Sequence, residues 1–302
     1  MLDPKKQFHG VFGFPITPFK DDLSLDIGAL EKNVDWMAKH PFCAMVAAGG
    51  TGEVYSMTPE ESVAVVRATV KAVNGRMPVV AGVGFNATMA ASMARQMEDA
   101  GAEALLVMPP YYVNAPETGM IEYFKSVNNA CGLALSFYTR DWAAYTPSQV
   151  QRLCDAVPNL KMWKDGQGDI RKYQRIISTM GDRLAWIGGL GDDCAPGYFA
   201  IGCQAYTSSI SNISPKMSLA IADAGLKGDR ETLNALIAKY VAPLYMLRDR
   251  LRGYEVSIMK SAMDMIPGLR GGPVRPPLVN TLPADEADLR KLMELYAAYD
   301  AS

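Results

Sequence analysis

Eight short apolar runs, at 10–16, 43–48, 78–83, 104–108, 133–138, 160–164, 184–187 and 203–208, recur along the first 225 residues of this chain. Each is followed by an amphipathic segment, at 26–39, 59–73, 88–100, 117–130, 147–156, 169–180, 192–200 and 214–224. In those segments apolar residues return every three or four positions, as with Leu30, Val34, Met37 and Ala38, the period of a helix with one buried face. Thr58-Pro59, Thr146-Pro147 and Ser214-Pro215 each put a capping hydroxyl ahead of a proline suited to a first helical turn. The short runs are apolar throughout, as parallel strands covered on both faces must be. Eight strand–helix units in unbroken succession predict an α/β fold, a (β/α)8 TIM barrel over residues 1–225. A doubly wound sheet is the alternative; no G-x-G-x-x-G opens the first unit, although that fold does not require the motif.

Residues 226–302 follow the eighth unit. Helical patterns at 230–252, 256–265 and 283–299 flank a stretch at 268–277 too rich in Gly and Pro for a helix. With no linker-like composition before them, they are expected to form a C-terminal helical extension packed on the barrel.

Composition removes several classes of function. Hydrophobic residues at 49% and charged residues at 21% are globular values. A net charge of -2 gives no basic footprint for nucleic acid and no polybasic membrane face. No apolar run reaches the ~20 residues of a spanning helix, and residues 1–10 lack the apolar centre of a secretory signal. The cysteines, Cys43, Cys131, Cys154, Cys194 and Cys203, are scattered, which suits a reduced, cytoplasmic setting. His9 and His40 are the only histidines, so a histidine triad or histidine-built zinc site is not expected. The chemistry must come from Lys, Tyr, Ser, Thr, Arg and carboxylates.

Barrels of this kind carry their active sites in the loops after the C-terminal strand ends. The stretch from Leu160 to Gly166 reads as a buried strand ending at Lys164. Burial penalises a lysine's charged form and lowers its pKa, and a neutral amine can attack a ketone to give a Schiff base. The plainer alternatives are a lysine snorkelling to the rim or paired with Asp165. Strand two delivers Gly49-Gly50-Thr51-Gly52-Glu53, whose glycines let backbone N–H groups approach an anion and whose Thr51 adds a hydroxyl. Strand four leads to Pro109-Pro110-Tyr111-Tyr112, strand five to Tyr138-Thr139-Arg140-Asp141, and strand eight to Tyr206-Thr207-Ser208-Ser209. Tyr138 could equally be a core tyrosine and Arg140 a rim partner of Asp141. Together they would place an amine, a phenol that can shuttle its protons, and donors for a carboxylate at one mouth.

On GGTGE at 49–53, PPYY at 109–112, the tyrosine ending strand five, the lysine ending strand six and Gly191-Asp192-Asp193, the chain resembles the dihydrodipicolinate synthase / N-acetylneuraminate lyase family. The resemblance runs from about residue 10 to 282. It implies Lys164 as the imine lysine and Tyr138 as the proton-transfer residue, with no metal or organic cofactor and a homo-oligomeric assembly. FGFPITPF at 12–19, YTRD at 138–141, KDGQGD at 164–169, GYEVSIMK at 253–260 and GPVRPPL at 272–278 are most similar to the family's decarboxylating branch, which dehydrates 5-dehydro-4-deoxyglucarate. In departure from the synthase branch, Gly50 replaces the first of two adjacent threonines, so that branch's proton relay does not transfer. Thr139 likewise replaces the asparagine usual after the tyrosine.

The expected substrate is therefore a small keto-deoxy sugar diacid. Its keto-end carboxylate is expected on Gly49, Gly50 and Thr51, and Tyr111 and Tyr112 are counted among the substrate contacts. The distal carboxylate is expected on Ser208, with Ser209 as a second donor and Arg140 as the rival. An aldolase or synthase using pyruvate, and a non-catalytic binding barrel, are the alternatives.

Overall fold

The computed structural model describes residues 2–301. The eight strands are β1 Gly10–Gly13, β2 Ala44–Ala47, β3 Val79–Val83, β4 Ala104–Val107, β5 Ala134–Thr139, β6 Leu160–Asp165, β7 Ala185–Gly188 and β8 Ala205–Ser208. They close in sequence order into a barrel, each paired in parallel with its neighbours and β8 with β1. This is the (β/α)8 barrel with C-terminal helices that the alternating pattern predicts.

The helices begin where local chemistry says they should. Thr58 Oγ1 accepts from the Glu61 N–H while the Glu61 carboxylate accepts from the Thr58 N–H, closing a capping box on the helix Pro59–Val73. Thr146 and Gln149 do the same for Pro147–Ala156, and Ser214 caps Pro215–Lys227.

Three expectations need correction. The first run is cut short, because residues beyond Gly13 leave the sheet: Phe14 N–H bonds the Ser211 hydroxyl and Ile16 N–H the Asn212 side-chain oxygen. Strand pairing in β6 continues one residue past Lys164, to Asp165 opposite Thr139. The helical stretch expected over 230–252 divides into Arg230–Leu236, a π turn Ile237–Val241 and Ala242–Arg248. Pro243 has no N–H to give and its ring crowds the carbonyl four residues back, which a wider turn relieves.

The stretch at 268–277 reaches back to helices Ile27–Met37 and Pro59–Val73. The Asn33 side chain donates to the Arg270 carbonyl and accepts from its N–H. Arg275 forks onto the Glu61 carboxylate, and Tyr254 donates to Asp285 within the tail.

What positions the site is the two-residue period of β5 and β6. Phe137 and Trp163 stack with ring centres 4.3 Å apart, and Phe124 of the helix Glu117–Asn128 stacks on Phe137 at 4.8 Å, so these rings lie between sheet and helices. Successive strand residues point to opposite faces. Tyr138 and Lys164, next in line and directly paired across the two strands, must therefore face into the barrel.

Candidate active site

A cavity of about 440 Å³ opens at the C-terminal ends of the strands, and Lys164 and Tyr138 both line it. Lys164 is only 5% exposed. Its Nζ donates to the Gly189 carbonyl at 2.8 Å and sits 3.7 Å from the centre of the Tyr138 ring. Burial pulls its pKa below that of an ordinary lysine, with Tyr138 and Asp165 working the other way. Burial alone would raise the Tyr138 phenol, but the positive charges of Lys164 and Arg140 outweigh it and bring the pKa below the usual value. An amine that deprotonates easily thus sits against a phenol that ionises easily.

The rival pairing of Lys164 with Asp165 does not form. Asp165 points away, where its carboxylate accepts from Thr139 Oγ1 at 3.0 Å, Gly168 N–H at 3.0 Å and Tyr198 OH at 2.8 Å. That network also gives Thr139, unusual at its position, a structural partner. Two glycines make room for Lys164 and Tyr138. A Cβ at Gly189 would run into Lys164 Cγ and the Asp165 carbonyl oxygen, and one at Gly166 into the Tyr138 ring and the Thr139 carbonyl oxygen.

Across the cavity stands the turn after β2, of which Gly50 and Thr51 line the wall. Gly49 does not; it packs on the Phe14 ring, which a Cβ would touch at 3.0 Å. Gly50 differs: a Cβ there would meet nothing within 4 Å, so its missing side chain is open cavity. The turn is closed by Glu53 N–H on the Gly50 carbonyl at 3.1 Å, and Thr17 Oγ1 donates to the Gly52 carbonyl at 2.7 Å.

The remaining expected contacts separate into groups. Tyr111 lines the cavity, its pKa pushed up to about 12 by burial first and Tyr138 second. Tyr112 does not line it. It is 102% exposed, with a left-handed φ of 79°, and its ring projects off the rim. Arg140 lines the cavity with Asp141 3.5 Å away, leaving its guanidinium half-buried at the mouth. Ser208 and Ser209 also line it, but their protons are committed. Ser208 Oγ donates to Asp192, accepts from Ser211 N–H and meets Ser218 Oγ, while Ser209 Oγ donates to Asp192 at 3.1 Å. Neither serine can donate to a substrate carboxylate without giving up its bond to the fully buried Asp192.

Arg248 and Asp193 also line the wall, although neither is among the contacts expected from the sequence. Arg248, from the end of the helix Ala242–Arg248, donates to Ser209 Oγ at 2.9 Å, stacks on the Tyr245 ring at 4.3 Å and leaves its Nε buried without a partner. Asp193 faces the cavity with its carboxyl pushed above the usual range by burial and then by Asp192. The Gly191-Asp192-Asp193 motif offered a signal for Asp193; nothing local marks Arg248.

Parts of the motifs at 12–19, 49–53, 253–260 and 272–278 meet in a cluster of Phe19, Glu53, Lys260 and Arg275 that does not line the cavity, although Phe14, Gly50, Thr51, Glu255 and Val256 of the same motifs do. Glu53 pairs with Lys260 in full burial, and the Phe19 ring lies 4.2 Å from both Lys260 Nζ and the Arg275 guanidinium carbon. These signatures therefore mark the junction of tail and barrel.

A family model described as the dihydrodipicolinate synthetase family matches residues 7–296. The chain is 38% identical to a protein of Bradyrhizobium sp. strain BTAi1 named "probable 5-dehydro-4-deoxyglucarate dehydratase", over 96% of this chain and 93% of that one. A protein of Rhodococcus opacus with the same name is also 38% identical, over 94% of each chain. Among solved structures, dihydrodipicolinate synthase from Oceanobacillus iheyensis is 27% identical with a TM-score of 0.89, covering 97% of this chain and 98% of that one. A lysine and a tyrosine paired inside a closed eight-stranded barrel, and a match that spans nearly the whole sequence, agree: this chain belongs to the dihydrodipicolinate synthetase family.

Proposed function

We propose that this protein is a decarboxylating dehydratase that converts 5-dehydro-4-deoxy-D-glucarate to 2,5-dioxopentanoate, water and carbon dioxide through an imine on Lys164, within glucarate and galactarate breakdown. The observation that carries the reading is the Lys164–Tyr138 pair in a cavity lined by two arginines, in a chain 38% identical over 96% of its length to a relative bearing that name.

The chemistry follows from the iminium. Lys164 Nζ attacks the ketone and water leaves, with Tyr138 carrying protons to and from the departing oxygen. The positive nitrogen acidifies the neighbouring CH2, whose proton is removed to give an enamine. The enamine expels the hydroxyl on the next carbon as water. The resulting conjugated iminium draws electrons from the bond to the distal carboxylate, so carbon dioxide departs. This leaves a dienamine; protonation of the carbon beside the former imine carbon restores the iminium. The carbon that lost the carboxylate keeps its hydroxyl as an enol that tautomerises to the aldehyde, and hydrolysis of the iminium frees Lys164. Nothing in this sequence calls for a metal or an organic cofactor.

The keto-end carboxylate would rest on the turn at Gly50 and Thr51. For the distal carboxylate, the committed protons of Ser208 and Ser209 favour Arg140 and Arg248. A carboxylate destined to leave must be oriented without being over-stabilised, since uniform binding lowers KM without raising kcat. One guanidinium shared with Asp141 and another shared with Ser209 meet that condition. Residues 1–225 act as the catalytic barrel and 226–302 as an extension packed on it, which the Asn33–Arg270 and Glu61–Arg275 contacts support. A homo-oligomer is the expected assembly, supported by the exposed Tyr112-Val113 rim. A cytoplasmic setting is supported by five unpaired cysteines.

The test is product analysis with the keto-deoxy diacid. Stoichiometric carbon dioxide and 2,5-dioxopentanoate are expected. Pyruvate release without carbon dioxide would make the protein an aldolase instead, and no turnover with no borohydride-trapped adduct would leave a binding barrel.

A further inference from the structure

Glu53 and Lys260 form an ion pair whose side chains are 0% and 1% exposed, the most deeply buried ion pair among the described residues. Taking both charges out of water is costly and gains little over apolar packing of the same volume. The surroundings show what the pair is attached to. Glu53 is the last residue of the turn Gly49-Gly50-Thr51-Gly52-Glu53, holds a left-handed φ of 55° that a non-glycine residue rarely adopts, and closes the turn with its own N–H on the Gly50 carbonyl. Its second carboxylate oxygen accepts from Arg275 N–H at 3.2 Å. Lys260 Nζ also donates to the Pro273 carbonyl at 2.8 Å. Lys260 belongs to the helix Tyr254–Asp264, whose first turn puts Glu255 and Val256 on the cavity wall. The tail thus grips the end of the turn and also lines the same cavity.

We propose that the buried Glu53–Lys260 pair is a positioning device, through which the C-terminal tail sets the Gly50–Thr51 turn for the carboxylate of a 2-keto acid. The inference rests on the reading of that turn as the keto-end carboxylate site. Glu53 does not touch the cavity; it fixes the φ and ψ of a turn whose N–H groups must converge on two oxygens. Without a charged partner on Lys260, the carboxylate has no reason to stay in the interior, and the left-handed residue relaxes and takes the turn with it.

The experiment uses pyruvate as the probe and compares wild type with Glu53→Gln, Lys260→Met and the double variant. Calorimetry gives the pyruvate dissociation constant, borohydride trapping reports the Lys164 adduct at saturating pyruvate, and thermal unfolding reports stability. Each single variant strands one buried charge or its partner and should lower the unfolding temperature. The double variant removes both charges and should recover much of it. Positioning predicts that the double variant still binds pyruvate roughly tenfold more weakly, about the loss of one hydrogen bond to a charged group, while trapping at saturation stays complete. A double variant that regains wild-type affinity along with its stability would overturn the proposal, as would wild-type protein that does not bind pyruvate. Wild-type binding with no trapped adduct would refute imine chemistry on Lys164 and leave affinity as the measure of positioning.

Discussion

Lys164 Nζ sits 3.7 Å from the centre of the Tyr138 ring and hydrogen-bonds the carbonyl of Gly189, a residue whose missing side chain leaves the lysine its space. The pairing of β5 with β6 places these two residues side by side, and burial together with the local charges tunes both protons.

Lys164 should carry the borohydride-trapped adduct. The folded pKa lies below the 10.5 of a free lysine, so the neutral amine gains population at lower pH than usual. The trapping rate should therefore rise with pH and level off below 10.5. Between the two pKa values the unfolded chain holds the extra proton, so this lysine costs stability below its folded pKa and the cost fades as pH rises. Lys164→Met should be inactive yet unfold at a higher temperature at pH 7. An adduct on Lys161 or Lys260, or an active Lys164→Ala, would refute the assignment.

Tyr138→Phe keeps the ring beside Lys164 and removes the phenol proton. Turnover should fall by roughly 10²–10⁴, the usual cost of losing a general acid or base. The pyruvate dissociation constant should change little. Unchanged kcat would return Tyr138 to the role of a packing residue.

Gly189→Ala tests the space around the lysine. The new methyl would occupy the room of Lys164 Cγ and press on the Asp165 carbonyl. Displacement of the reacting nitrogen by an ångström costs on the order of 10² in rate. The expected result is a folded barrel by circular dichroism with kcat reduced by about that factor.

Arg248→Leu and Arg140→Leu examine the distal carboxylate. Loss of a hydrogen bond to a charged group costs about 1.5–3 kcal/mol, so kcat/KM for the diacid should drop about 10- to 100-fold while pyruvate binding stays near wild type. Ser208→Ala, whose hydroxyl serves Asp192, should lower the unfolding temperature more than it changes the share of substrate that is decarboxylated. A selective loss of carbon dioxide release in Ser208→Ala would restore the serine to the substrate.

Gly50 faces open cavity, with nothing within 4 Å of an added Cβ. Gly50→Thr should fold as well as wild type and bind pyruvate normally. It should raise KM for the six-carbon diacid, because the methyl and hydroxyl would fill space the longer substrate needs. Equal KM values for diacid in both proteins would show that Gly50 faces away from the bound chain.

The features readable from sequence were those set by neighbouring residues. Apolar runs of strand length, helix starts at Thr58, Thr146 and Ser214, and the two-residue period that turns Tyr138 and Lys164 to one face all follow from local geometry. Tertiary structure decided what depends on residues far apart in the chain. It committed Ser208 and Ser209 to Asp192, brought Arg248 from the tail to the cavity mouth, sent Tyr112 outward while Tyr111 stayed in, and joined Glu53 to Lys260. A hydroxyl looks the same in sequence whether its proton is free or taken. A charge on a tail helix finds its partner only when the barrel has closed and the helix has docked.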